Sequence, residues 1–444
     1  MKIPSKALHS SRLRDQRGVT IVLVAILMFV FLGIAALVID LSNLYVARNE
    51  LQNAADAGAL AGARFLYNDD GTAVNSGANQ IAYDAAIANR ALAMTGAIAV
   101  DVNWTGGNIG DVQRGHWCFE TQEFWPNDSL SPVDLWNVST EDLDADPSFI
   151  NAVRVEARRQ ATPAASFFAR ILGYEYFELS KYAVAYIGFA GSLQEGEVDQ
   201  PIGICKQSIV DEYGNYDCHT GRMIDSGGGT THNTGAWSNF SQPCNTASAS
   251  SVRPLVCGGG NPDVISLGDG MGTVGGMQNN VYSDLRECWL NESDLDKDGR
   301  GYPTEAWELT LPVIDCPGNN PGPCSEVVGA VTLNVLWIKQ ASADPHWMDI
   351  PLEMESWRCS HFEDGLSIDE MTDTQRQECW QQFAIAFDLQ TADGTSVGDL
   401  TPSDLQKTMF FRPDCEPHEP KGGTGGQNFG VLARRPVLVN KETQ

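Results

Sequence analysis

The sequence predicts a single-pass membrane anchor with a long N-terminal helix, then an α+β exported domain, then a β-rich, disulfide-stapled, loop-rich domain. Three observations predict it. Residues 19–39 form an unbroken apolar run. Helical and then strand-like patterning follows over 40–190. Ten cysteines crowd between Cys205 and Cys415, in a stretch rich in Gly, Asn, Ser and Trp.

The run VTIVLVAILMFVFLGIAALVI is apolar except for Thr20 and Gly33, and Asp40 ends it. As a helix of roughly 21 residues it spans about 30 Å, the thickness of a bilayer core. Lys2, Lys6, Arg12, Arg14 and Arg17 precede it, against the single acid Asp15. Cationic flanks stay on the cytoplasmic side. Residues 1–18 therefore read as a cytoplasmic basic tail, 19–39 as the transmembrane helix, and everything past Asp40 as exported. A cleaved signal peptide is the competing reading. Its apolar region would be about 7–15 residues long and would end in a small-residue site. Ala61, Gly62 and Ala63 resemble such a site but lie far past the run, and the helical pattern continues between them.

Beyond Asp40, Leu41, Leu44, Tyr45, Leu51, Ala55, Ala59 and Leu60 recur mostly at three to four residues, so the helix is expected to continue to Leu66. Tyr45 stands where an interfacial aromatic belongs. Gly58 and Gly62 form a G-x-x-x-G among alanines. Small residues let another backbone approach closely, either a partner helix or this protein's own domain. A second helix is expected over 79–94. Strands are expected near 97–104, 111–119 and 151–159, where Val153, Val155 and Ala157 alternate with Arg154, Glu156 and Arg158. TPAASFFARILG from Thr162 reads as a helix, with Pro163 in its first turn and Gly173 after its end. Strand returns over 175–189. Helices followed by strands make 40–190 an α+β domain, and the polar stretch 191–201, GSLQEGEVDQP, a linker.

Residues 202–444 form the cysteine-rich domain. Strands are expected from Val327 and Thr408, and helices over 280–289 and 373–382. Ten thiols in an oxidising space read as at least three disulfides. Cys316 and Cys324 enclose the turn-rich PGNNPGP, which suggests a local bridge, whereas Cys118 stands apart from the others. The chain of 444 residues carries a formal charge of -28, which repels phosphates and argues against nucleic acid as a partner.

The segment 17–63 resembles the N-terminal segment of the tight-adherence (Flp) pilus-assembly TadE/TadG-like proteins. The residues that carry the resemblance are Val38-Ile39-Asp40-Leu41 at the end of the apolar helix, Tyr45, Ala47-Arg48, and Leu51-Gln52-Asn53-Ala54-Ala55-Asp56-Ala57. The resemblance implies a bacterial inner-membrane protein with a periplasmic C-terminal part that contacts other pilus-assembly proteins. Two family features are not matched. Leu23 occupies the place, five residues after Gly18, where pilin-type processing wants an acid. The stretch from Asp225 to Gly229 lacks the D-x-S-x-S of a von Willebrand A metal site.

Of the patterns that carry chemistry, the sharpest is DLDKDGRGYPTE at 294–305, which fits D-x-D-x-D-G-x5-E. Calcium wants six to eight oxygens. Asp294, Asp296, Asp298 and Glu305 would supply carboxylates, Arg300 its carbonyl, and Gly299 the turn. A solvated acidic turn is the plainer reading, since Gly301 and Pro303 depart from the pattern. The G-x-G-x-x-G at 270–275 lacks a βαβ setting and reads as a flexible loop. The G-x-S-x-G at 394–398, with Asp404 and His418 behind it, leaves too little chain for a hydrolase fold, and His219 and His232 read as surface residues. The expected function is a non-enzymatic, membrane-anchored accessory of a Flp-like pilus or secretion apparatus, with no small-molecule substrate. The alternative is a calcium-stabilised adhesion or surface-binding protein on the same anchor.

Overall fold

The computed structural model describes residues 17–93, 96–131, 138–224, 235–275, 279–291, 296–319, 321–339, 346–363, 365–391, 394–399 and 407–439. The expected anchor and stalk form one helix, α1 (Arg17–Arg64), of 48 residues. At about 1.5 Å per residue it is about 70 Å long. Its two halves differ sharply. Nearly every residue over 20–39 is exposed, whereas Leu51, Ala54, Ala55, Ala59 and Ala63 are fully buried. The helix is thus long and apolar enough to cross a membrane in one half, and the core element of a folded domain in the other.

That domain is a five-stranded sheet laid against α1 and a second helix, α2 (Ala78–Ala88). The strands are β1 (Val112–Cys118), β2 (Glu123–Pro126), β3 (Ala152–Ala165) and β4 (Tyr176–Phe189), joined by a last strand from the far end of the chain. Helix α2 is shorter than its pattern suggests. It stops where Asn89 turns extended and donates its side-chain amide to the Ala85 carbonyl (2.9 Å). Residues Arg90–Ala93 then pair with Gly96–Ala99 as a hairpin.

The helix expected from Thr162 is also corrected. Strand β3 continues through Pro163 to Ala165, with a register break between Arg159 and Ala164. A bulge is where a strand accepts a proline. The Asp101 carboxylate holds it open by accepting the N–H groups of Gln160 (2.9 Å) and Ala161 (2.7 Å). Only a short 3-10 turn, Ala169–Leu172, remains of the helix, closed by Gly173 at φ 93°.

The second region is built on seven strands: β5 (Ile202–Cys205), β6 (Arg222–Ile224), β7 (Gly235–Ser238), β8 (Gly270–Gly275), β9 (Trp307–Ile314), β10 (Cys324–Ile338) and β11 (Met409–Pro413). Their order is β8-β7-β5-β9-β10-β11-β6, and β8 also pairs with the start of β10, which closes five of the strands into a ring. The G-x-G-x-x-G is therefore strand β8 and not a flexible loop. Helices α3 (Asn279–Asn291) and α4 (Asp373–Ala386) lie where helical periodicity predicts them. Trp337 of β10 stacks on Phe410 of β11 (5.1 Å) and meets Trp380 of α4 edge-on (5.9 Å), so the core here is aromatic.

Five cysteine pairs lie at bonding distance: Cys205–Cys316, Cys218–Cys415, Cys244–Cys324, Cys257–Cys288 and Cys359–Cys379. The local bridge between Cys316 and Cys324 is not formed. Parallel pairing of Ile314 with Cys205 brings Cys316 to β5, while pairing with Gly272 carries Cys324 to β8. Cys118 is buried and unpaired with another cysteine.

Two boundaries differ from the sequence reading. Residues 191–201 are no loose linker, since Leu193, Glu197, Val198 and Gln200 are buried and Ser192–Leu193 pairs with Ile265–Ser266. In addition, the last strand, β12 (Arg434–Leu438), leaves the cysteine-rich region and pairs antiparallel with β4. The two regions are interlocked by the returning chain.

Candidate functional site

Two places hold the residues that sequence patterns single out: the point where α1 enters its domain, and the acidic loop. At the first, Asp40 is buried to 4% exposure although it follows a fully apolar run. Its Oδ1 accepts the N–H of Phe167 (2.7 Å) and its Oδ2 the N–H groups of Phe168 (3.0 Å) and Ala169 (2.6 Å). The carboxylate thereby caps the 3-10 turn at the tip of the β3–β4 hairpin. Burial pushes the Asp40 carboxyl up, but the three backbone donors, with the Arg170 charge, hold it below the ordinary carboxylate value. Asn43 adds a bond to the Ala165 carbonyl (3.3 Å). The hairpin therefore runs along α1 with its tip at the end of the apolar run.

Further along, the G-x-x-x-G serves this protein's own domain. A Cβ on Gly58 would lie 2.8 Å from the Ala82 carbonyl oxygen and 3.1 Å from Val155, and one on Gly62 would lie 2.9 Å from Val153. Helix α2 and strand β3 occupy the seat that a partner helix would need.

In the acidic loop, Asp294 lies outside the described residues. Asp298 is buried, and its Oδ1 accepts the N–H groups of Arg300 (2.8 Å) and Tyr302 (3.2 Å). Backbone bonds from Asp298 to Tyr302 (2.9 Å) and from Thr304 to Asp296 (2.8 Å) make 296–304 a tight hairpin, turned by Gly299 and Gly301 at positive φ. Arg300 sends its side chain to the Ile350 carbonyl (2.5 Å) and over the Tyr302 ring. Asp296 and Glu305 are exposed. Among the described residues, Asp296, Asp298 and Glu305 do not form a group whose oxygens all lie within 4.8 Å of one another. The one such group is Cys218, His219 and Cys415, whose two sulfurs are joined to each other. His232, Asp404 and the segment 225–229 lie outside the described residues.

Sequence reading missed a third polar centre. Glu197 Oε1 lies 2.9 Å from His418 Nε2 and accepts the Lys421 N–H (2.8 Å), while Oε2 accepts the Gln194 N–H (2.5 Å). Burial raises the Glu197 carboxyl, and the His418 ring with the two N–H groups more than offsets it, so the group is held below its ordinary value. This clamp ties 191–201 to the returning C-terminal segment. Its partners lie some 220 residues apart in sequence, so no local pattern announces it.

Residues 18–64 match the family model described as Flp pilus-assembly TadE/G-like, and residues 61–185 match the one described as Tad-like Flp pilus-assembly. The first match coincides with α1, and the second runs from its last turn into β4. Residues 18–185 are thus similar to Flp pilus-assembly TadE/TadG-like proteins, and these matched segments indicate a Flp pilus-assembly component. No curated protein matches the chain, and no solved structure does.

Proposed function

We propose that this chain is a non-enzymatic, single-pass component of a Flp pilus assembly or secretion apparatus. It is held in the bacterial inner membrane by 19–39, with residues 1–18 in the cytoplasm and the folded regions in the periplasm, where they contact other assembly proteins. The observation that carries this is the division of α1 into an exposed apolar half and a buried alanine-rich half. Such a helix plants a rigid domain directly on the bilayer with no flexible tether between them. The basic residues before Thr20 support the orientation, and five cysteine pairs suit an oxidising compartment. The experiment is deletion of the gene in its own cell, scored by surface pili in electron micrographs. Loss of pili, restored by the full chain but not by a chain lacking 17–39, supports the reading. Unchanged piliation removes it.

A structural calcium ion at the acidic loop is a second reading. One observation favours it: Asp298 Oδ2 is buried and has no hydrogen-bond partner among the described residues. A ligand bound by the folded state alone stabilises by about 2.7 kcal/mol at a hundredfold excess over Kd. Calcium should then raise Tm for the native chain and not for the Asp298→Ala, Glu305→Ala double variant. Equal Tm with calcium and with chelator would end this reading.

A further inference from the structure

We propose that the tip of the β3–β4 hairpin, residues 166–176, is a second membrane contact that rests in the lipid interface beside α1. The proposal builds on the reading of α1 as membrane-spanning. Three observations meet at this place. First, the tip is fixed in depth. Asp40 is the first residue after the apolar run, and its carboxylate holds the N–H groups of Phe167, Phe168 and Ala169. The tip therefore lies at the level where α1 leaves the hydrocarbon. Second, the tip presents large apolar and aromatic side chains to solvent, with Arg170 and Glu175 exposed among them. Ile171 is 79% exposed, Tyr174 and Tyr176 each 63%, and Phe168 39%. Large apolar side chains gathered on one short turn mark an interaction surface, and an aromatic with a polar tip suits the zone between headgroups and acyl chains. Third, the tip is held at the end of the exposed apolar shaft of α1, since Leu37, Val38, Ile39 and Leu41, on either side of Asp40, are all exposed. Arg170, exposed on the same turn, is placed for a headgroup phosphate. The occupant is lipid because the tip is held at the end of the shaft, which the bilayer covers when α1 spans the membrane.

Two contacts with the bilayer, one through α1 and one through the hairpin, would fix the tilt and rotation of the domain, which a single helix cannot do. Three variants of the full chain, each with one added cysteine, test this in nanodiscs of phosphatidylethanolamine and phosphatidylglycerol. Nitroxide labels are placed at Leu27→Cys in the apolar run, Ile171→Cys at the tip and Tyr213→Cys in the cysteine-rich region. Buried Cys118 stays in place, and the unsubstituted chain serves as the blank. Relaxation by oxygen, which partitions into lipid, is compared with relaxation by a water-soluble nickel chelate. The label at Leu27 should respond to oxygen and that at Tyr213 to nickel. The label at Ile171 should lie between them, with a several-fold larger oxygen-to-nickel ratio than at Tyr213. A ratio at Ile171 equal to that at Tyr213, with Leu27 still in lipid, overturns the hairpin contact and leaves the anchor standing. A Leu27 label open to nickel overturns the anchor and the hairpin contact together. A label at Ile171 shielded from both agents marks contact with a second copy of the chain, and also overturns the lipid assignment.

Discussion

Asp40 does two jobs that its sequence neighbourhood suggests only in part. It ends the apolar run, as any acid would, and it caps a turn formed some 127 residues later. Replacing it by Ala should cost about 1 kcal/mol, the usual loss at a helix cap. Hydrogen exchange should accelerate at 167–169, while α1 amides near Leu51 stay protected. Unchanged exchange at the tip would mean that the cap does not hold the hairpin. Glu197 gives a pH signature. Its folded pKa is depressed, so its contribution to stability is complete above the unfolded value near 4.5 and fades as the pH falls through the lower folded value. Glu197→Gln should therefore lower Tm at pH 7, and the gap from the native chain should narrow below pH 4.5. Glu197→Ala should cost more than Glu197→Gln, about 1–3 kcal/mol, because it leaves the Gln194 and Lys421 N–H groups without their acceptor. A gap that does not change with pH would show that the carboxylate charge is not what holds the clamp.

At the scale of elements, the glycines of α1 separate packing from span. A side chain at Gly58 meets a backbone oxygen of α2, whereas one at Gly33 meets nothing within 4 Å. Gly58→Val should destabilise by about 1–3 kcal/mol through overpacking, while Gly33→Val is tolerated. Thermal unfolding in detergent micelles checks both, and equal melting of the two variants would mean that α1 and α2 do not pack as described. The elements legible in the sequence are those whose own pattern suffices: the apolar run, the alternation from Val153 to Ala157, and helices α3 and α4. Those that depart from their own sequence pattern answer to distant residues. The stretch from Thr162 has helix signals, but Asp101 and Asp40, far away in sequence, hold its backbone amides in a bulge and a short turn. The acidic loop is legible as a turn. Its hairpin geometry, with Asp298 turned onto its own backbone, lies beyond what ligand spacing alone tells.

For the whole molecule, the interlock is the feature a linear division of the chain misses. Nothing in RRPVL says that it returns to a sheet begun more than 300 residues earlier, since a short strand carries no address for its partner. Disulfide connectivity is hidden for the same reason. Cys316 and Cys324 are close in sequence, but sheet register sends them to different strands. The interlock predicts that deleting 434–444 uncovers the β4 edge and damages the first domain, not the cysteine-rich one. Unpaired edges promote association, so the truncated protein should melt lower and form larger species on size exclusion. Native-like melting would show that β12 is dispensable.

The central claim is that one helix divides the chain, with its basic tail inside and its folded regions outside the cytoplasmic membrane. The most direct measurement is the activity of alkaline phosphatase fused after Gln444, an enzyme that needs its own disulfides and matures only outside the cytoplasm. The account predicts an active, membrane-bound fusion, and a marked loss of activity when Lys2, Lys6, Arg12, Arg14 and Arg17 are replaced by Glu. An inactive fusion that is nonetheless full-length and membrane-bound would place the folded regions in the cytoplasm and contradict the account.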